Sequence, residues 1–164
     1  MCGRFVSIND ENKIKKIFDI KKTINFSEKS FNISPEQKIN LIYKHKENFI
    51  LDSFKWGYSF YNKYFNKNQL VINSRLETIN TKILFKESYI KRKCIILSNG
   101  YFEWKVEEKE KFPYYIHIPY QEPIYFAGIW RVEKKDNIQI HVCNILTKEA
   151  NYKIKNIHNR MPVV

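Results

Sequence analysis

The chain has 164 residues and a mass of 20.0 kDa, enough for one domain with a substantial core. Hydrophobic residues at 43% and aromatics at 16% exclude a disordered chain, and the apolar runs are too short to span a bilayer. Lys plus Arg outnumber Asp plus Glu by 29 to 17, a net +12, which points to an anionic partner, nucleic acid foremost. Lys supplies 24 of the positive charges, and a solvated Lys coat of compositional origin accounts for much of the excess. The five Arg (Arg4, Arg75, Arg92, Arg131 and Arg160) carry more information, because a guanidinium grips phosphate with two parallel hydrogen bonds.

In chain order, no apolar signal stretch follows Met1. Asp10 to Ile20 reads as a short helix capped by Asp10, with Ile14, Ile17 and Phe18 on one face. Lys38 to Tyr43 and Asn48 to Phe54 read as strands joined by a charged turn, and Gln69 to Asn73 as another. Thr81 to Ile90 reads as a helix anchored by Ile83, Leu84 and Ile90, and Cys94 to Ser98 as a buried strand. Pro113 to Ile118, Ile124 to Trp130 and Ile138 to Leu146 are strands by their aromatic and β-branched content. Thr147 is expected to cap a helix through Ile154. Many short strands and few helices imply a single α+β domain over 1–164, mostly antiparallel, with a barrel-like core. No glycine-rich phosphate loop is present. Three cysteines without CxxC spacing argue against a disulfide framework and against a zinc site; no metal or cofactor is expected. Cys94 and Cys143 lie in apolar runs and read as inert buried thiols, in keeping with a reducing compartment.

Cys2 differs from them by position. A small second residue favours removal of the initiator Met, which leaves a 1,2-aminothiol at the terminus. Its amine and thiol have reference pKa values of about 7.7–8.0 and about 8.5, so both are partly nucleophilic near neutrality. An aldehyde can form a Schiff base with the amine and then close a five-membered thiazolidine ring with the sulfur. The same terminus could serve as a nucleophile for acyl transfer. Alternatively Cys2 is an incidental small residue.

Further blocks decide between these. The chain carries Met1-Cys2-Gly3-Arg4-Phe5, Asn32-Ile33-Ser34-Pro35, Trp56-Gly57 and Asn73-Ser74-Arg75-Leu76-Glu77-Thr78. Asn99-Gly100-Tyr101-Phe102-Glu103-Trp104, Phe126-Ala127-Gly128-Ile129-Trp130 and Ile157-His158-Asn159-Arg160-Met161-Pro162-Val163 follow. In order and spacing these blocks resemble the SRAP family, the SOS response-associated peptidases or abasic-site processing proteins, across the whole chain. The resemblance implies an SRAP domain that binds single-stranded DNA containing abasic sites, probes them as a monomer, and captures the open-chain aldehyde covalently and reversibly. It places the work in the cytoplasm, at the nucleoid in a bacterium or in the nucleus of a eukaryote.

The resemblance also assigns roles. Cys2 is the crosslinking nucleophile. Asn73 holds the crosslinked sugar with an amide that does not compete for protons. Glu103, a carboxyl among aromatics, does acid–base work on the imine, and His158 is a second proton carrier for ring opening. Arg4, Arg75 and Arg160 contact the DNA backbone, and Pro35 and Trp56 support or wedge the strand at the lesion. Tyr58, Phe60, Tyr61, Tyr64 and Phe65, interleaved with Lys63 and Lys67, form a basic–aromatic stretch suited to a single strand. Structural alternatives exist for several: Arg75 as an ion-pair partner of Glu77, Glu103 as an outward strand residue, and Trp56 as core. The chain departs from the family in Asn159, where Asp is frequent, and in stopping at Val164, which reads as a C-terminally short member. Two other functions fit the same residues: a thiol peptidase acting through Cys2, perhaps only on its own leader Met, and a non-catalytic DNA-binding relative.

Overall fold

The computed structural model describes residues 2–121 and 123–164, without the side chain of Gln121. The strands are β1 (Arg4–Ser7), β2 (Lys22–Thr23), β3 (Ser30–Ile33), β4 (Lys38–His45), β5 (Asn48–Trp56), β6 (Tyr58–Asn62) and β7 (Lys67–Val71). They continue as β8 (Asn73–Arg75), β9 (Lys93–Ser98), β10 (Gly100–Glu107), β11 (Glu110–Ile116), β12 (Ile124–Lys135), β13 (Ile138–Glu149) and β14 (Arg160–Pro162). Two α-helices, α1 (Glu11–Ile17) and α2 (Ile83–Lys91), lie among them.

Strands β13, β12, β9, β4 and β5 are hydrogen-bonded in that order, and a parallel contact of β13 with β5 closes them into a barrel. Closure depends on Gly57. Its φ of 121° lies where only glycine is comfortable, and its N–H donates to the Cys143 carbonyl at 2.8 Å. Alternation along the strands sorts the core. Ile39 and Leu41 of β4 face inward with Phe54, Trp56, Ile96, Phe126, Cys143 and Ile145. Ile42 faces outward and packs under Ile14 of α1. A second sheet, ordered β11-β10-β1-β3, lies against the barrel, and Phe5 seals the join by edge-on contacts with Trp56 and Phe126 at 5.2 and 5.7 Å. No helix among the described residues is long and apolar enough to cross a membrane.

The mostly antiparallel α+β domain with a barrel core is as expected from the sequence. Asp10 caps α1, accepting from Lys13 N–H at 2.9 Å, but the helix stops at Ile17. Helix α2 forms, yet Ile83 and Ile90 point to solvent and its buried residues are Phe85 and Ser88. Thr147 caps no helix. Strand β13 runs on to Glu149, and the fully buried Thr147 hydroxyl donates to the Ser74 carbonyl at 3.2 Å. Its neighbours β8 and β14 hold it extended, and residues 152–157 form turns.

Candidate active site

The site forms where the second sheet meets the barrel. Strand β1 pairs antiparallel with β10, placing Arg4 opposite Phe102 and Phe5 opposite Tyr101. Alternation then puts Tyr101 and Glu103 on the barrel side of β10 and Phe102 and Trp104 on the other. Tyr101 and Glu103 are each only 2% exposed, so Glu103 is not an outward strand residue. Cys2, at the N-terminal end of β1, is fully buried in the same cluster as Tyr101.

The opposite wall comes from the barrel. Strand β8 pairs in parallel with β13, with Asn73 beside Ile145. Its Nδ2 donates to the Cys2 carbonyl at 3.0 Å, bridging two strands that share no ladder. The Asn73 Oδ1 is buried and accepts no hydrogen bond, and the buried Tyr101 hydroxyl likewise has no partner. A buried polar atom left unpaired costs about 1–3 kcal/mol, so two beside one cysteine mark a place for a polar ligand. Tyr101 stands in one of the quoted sequence blocks but has no role assigned there. Its position two residues before Glu103 on one strand was the available signal.

Burial pushes the Cys2 thiol far up, and the charge of Glu103 adds to the effect. The thiol is therefore neutral near pH 7 and needs a proton acceptor to react. Its Sγ lies 3.9 Å from the Arg4 carbonyl. Burial also raises the Tyr101 phenol, with further contributions from Cys2 and Glu103.

Thr147 pairs with Arg75 on one side and Pro162 on the other, so β8 and β14 flank the end of β13. His158 is half-buried in the turn before β14. Its Nδ1 accepts from Arg160 N–H at 2.9 Å, which leaves the ring hydrogen of the neutral form on Nε2.

Two expectations need correction. Arg160, expected on the DNA backbone, is instead committed within the protein: its Nη1 and Nη2 donate to both Glu77 oxygens at 2.8 and 2.9 Å, and Nη2 also to the Thr147 carbonyl at 2.8 Å. This fork pulls the Glu77 carboxyl down to about 2. Arg160, not Arg75, is thus the partner of Glu77. Trp56 is fully buried with its Nε1 donating to the Ile72 carbonyl at 2.9 Å, so no base stacks on it. Half-buried Pro35 sits in the turn between β3 and β4, where Glu36 N–H donates to the Trp56 carbonyl at 2.9 Å. Arg75 is exposed on the same side of β8 as Asn73, and Arg4 donates to Asn32 Oδ1 at 2.9 Å. The stretch after Trp56 folds as the β6–β7 hairpin, with Tyr64 and Phe65 exposed in its loop and Lys67 over the Phe65 ring. No group of three or more possible metal ligands occurs among the described residues.

The family described as SOS response associated peptidase (SRAP) matches residues 1–164, and the chain belongs to it. The abasic site processing protein YoaM of Bacillus subtilis is 32% identical over 169 residues, covering all of this chain and 74% of its own length. The abasic site processing protein YedK of Escherichia coli is 30% identical, covering all of this chain and 75% of its own. A crystal structure of a Bacteroides thetaiotaomicron protein shares the fold with a TM-score of 0.83 at 21% identity, over 98% of this chain and 75% of that one.

Proposed function

We propose that this protein binds single-stranded DNA and captures abasic sites through a thiazolidine at Cys2. The observation that carries the reading is the pairing of Cys2 with Asn73 and Glu103 beside two unsatisfied polar atoms. Removal of the initiator Met makes Cys2 the terminus. Its amine attacks the open-chain aldehyde of the lesion, and the carbinolamine loses water to give an imine. The sulfur then adds to the imine carbon. Glu103 takes the thiol proton as the C–S bond forms, and a proton is returned to the nitrogen. One aldehyde and one aminothiol yield one ring and one water. Asn73 fixes the Cys2 carbonyl, and its Oδ1 is positioned to accept from a sugar hydroxyl. His158 is the second proton carrier, for reopening the ring. Arg4 and Arg75 take phosphates, and Arg160 holds the β14 side of the site in place. The protein acts as a monomer on this reading.

Intact-mass spectrometry of the protein, with and without single-stranded DNA carrying one abasic site, tests it. The expected result is a chain lacking Met1 and, with the damaged strand, one adduct of the oligonucleotide mass less one water. The same adduct in Cys2→Ala, or none in the wild type, sinks the proposal. Turnover of peptides without DNA would point instead to the thiol peptidase.

A further inference from the structure

The outer face of the second sheet is unlike an ordinary solvent face. An antiparallel sheet with one side on a core normally presents polar residues on the other. Here the outward positions of β1 and β10 are Arg4, Val6, Phe102 and Trp104, and those of β11 and β3 add Tyr115 and Phe31. Two hollows open on this face. One, of about 500 Å³, is lined by Val6, Ile8, Phe31, Phe102, Tyr115 and His117. The other, of about 630 Å³, is lined by Gly3, Arg4, Asn32 and Trp104 and again by Phe31 and Phe102. The shared rings make them one trough, and its near end, Gly3–Arg4, directly follows Cys2. Its far end is a run of rings already in contact: Phe102 with Tyr115 at 5.0 Å, and Tyr115 stacked on His117 at 5.0 Å and 18°. Phe31 stands over the junction, 71% exposed. Among the described residues, no carboxylate lines either hollow.

We propose that this trough receives unpaired bases of the strand on one flank of the lesion, stacked against Phe31 and Phe102, with Arg4 on the phosphate between them and the lesion. The inference rests on the single-strand reading above and adds to it a defined path on the back of the catalytic sheet. Three observations select this occupant. Aromatic rings offer π-faces to bases of any sequence. Among the described residues the lining carries a guanidinium and no acidic group, which suits a polyanion. The trough also begins one residue along the chain from Cys2, so a strand held at Cys2 reaches it by passing around the N-terminal end of β1.

The test compares two aldehydes: a long single strand with a central abasic site, and 2-deoxyribose 5-phosphate, which has no flanking bases. Stacking of one base is lost in Phe31→Ala, which should weaken binding of the long strand by about 5- to 100-fold. Capture of the free sugar phosphate should be unchanged, and Phe31→Trp should restore the long strand. The idea is overturned if Phe31→Ala binds the long strand like wild type, or if it loses the free sugar to the same extent. It is also overturned if sedimentation shows a dimer that Phe31→Ala dissolves, because the face would then be covered by a second copy. A wild-type protein that binds undamaged single strands in a Phe31-dependent way but forms no adduct would support the trough and defeat the lesion chemistry.

Discussion

Cys2 and Cys143 are both fully buried, and burial pushes both thiols upward. Their neighbourhoods differ. Cys143 lies in the barrel wall, its sulfur 3.6 Å from the Lys55 carbonyl, with the Cys94 thiol adding to the effect of burial. Among the described residues, its interactions there involve no carboxylate. Cys2 sits at a chain end beside a carboxyl, an amide and a phenol. A buried thiol is thus not reactive for being buried, and what sets Cys2 apart is the carboxyl, amide and phenol placed beside it.

The largest effect that should separate the two is substitution by Ala. Cys2→Ala is expected to abolish the thiazolidine adduct, read on denaturing gels, at a cavity cost similar to that of Cys143→Ala. Cys143→Ala should keep the adduct and lose roughly 1–2 kcal/mol of stability through the cavity it leaves. The opposite pattern would erase the distinction. Next comes Glu103→Gln, which keeps the shape and removes the proton acceptor. Adduct formation should slow by about 100-fold or more. The Cys2 thiol should then ionise at lower pH, because the carboxylate charge that opposes thiolate is gone, and thiolate absorbance during a pH titration measures this.

A third effect has two signs. Tyr101→Phe removes a buried hydroxyl that has no partner, so the free protein should gain about 1 kcal/mol in thermal or urea unfolding. The same change should slow capture a few-fold if the hydroxyl meets the sugar. A gain in stability with unchanged capture would make Tyr101 a packing residue only. The smallest effect is shared by all three cysteines. Burial holds all three thiols above their ordinary value, so the native state holds protons that the unfolded chain releases. Stability from this source is complete below about pH 9 and declines as pH rises beyond it. Unfolding midpoints measured across that range in Cys94→Ala and Cys143→Ala should show a shallower decline than wild type.

Much of this was legible in the sequence because it is local. The Asp10 cap, the β4–β5 hairpin and the apolar Cys94 run each declare themselves within a few residues. What stayed hidden depends on distant pairing. The parallel contact of β13 with β5 brings Cys143 beside Trp56 from far along the chain and buries a ring that had looked available for DNA. Thr147 resembles an N-cap until β8 and β14 flank it. Arg160 and Arg75 look alike as candidates for phosphate, and only the fold shows that one meets Glu77 while the other is left exposed. Helix α2 shows a related gap, since its apolar residues gave no account of which side the barrel would cover.

Strand β13 alone is hydrogen-bonded to β12, β14, β5 and β8. Asn73 reaches Cys2 from one of these neighbours, and the His158–Arg160 segment runs into another. The polar walls of the site are therefore leaves bound to one spine. Local breathing that frays β13 near Thr147 would loosen the amide grip and the Arg160–Glu77 fork in one cooperative event, whereas motion in the second sheet would disturb the Cys2 end of the grip and leave the fork intact.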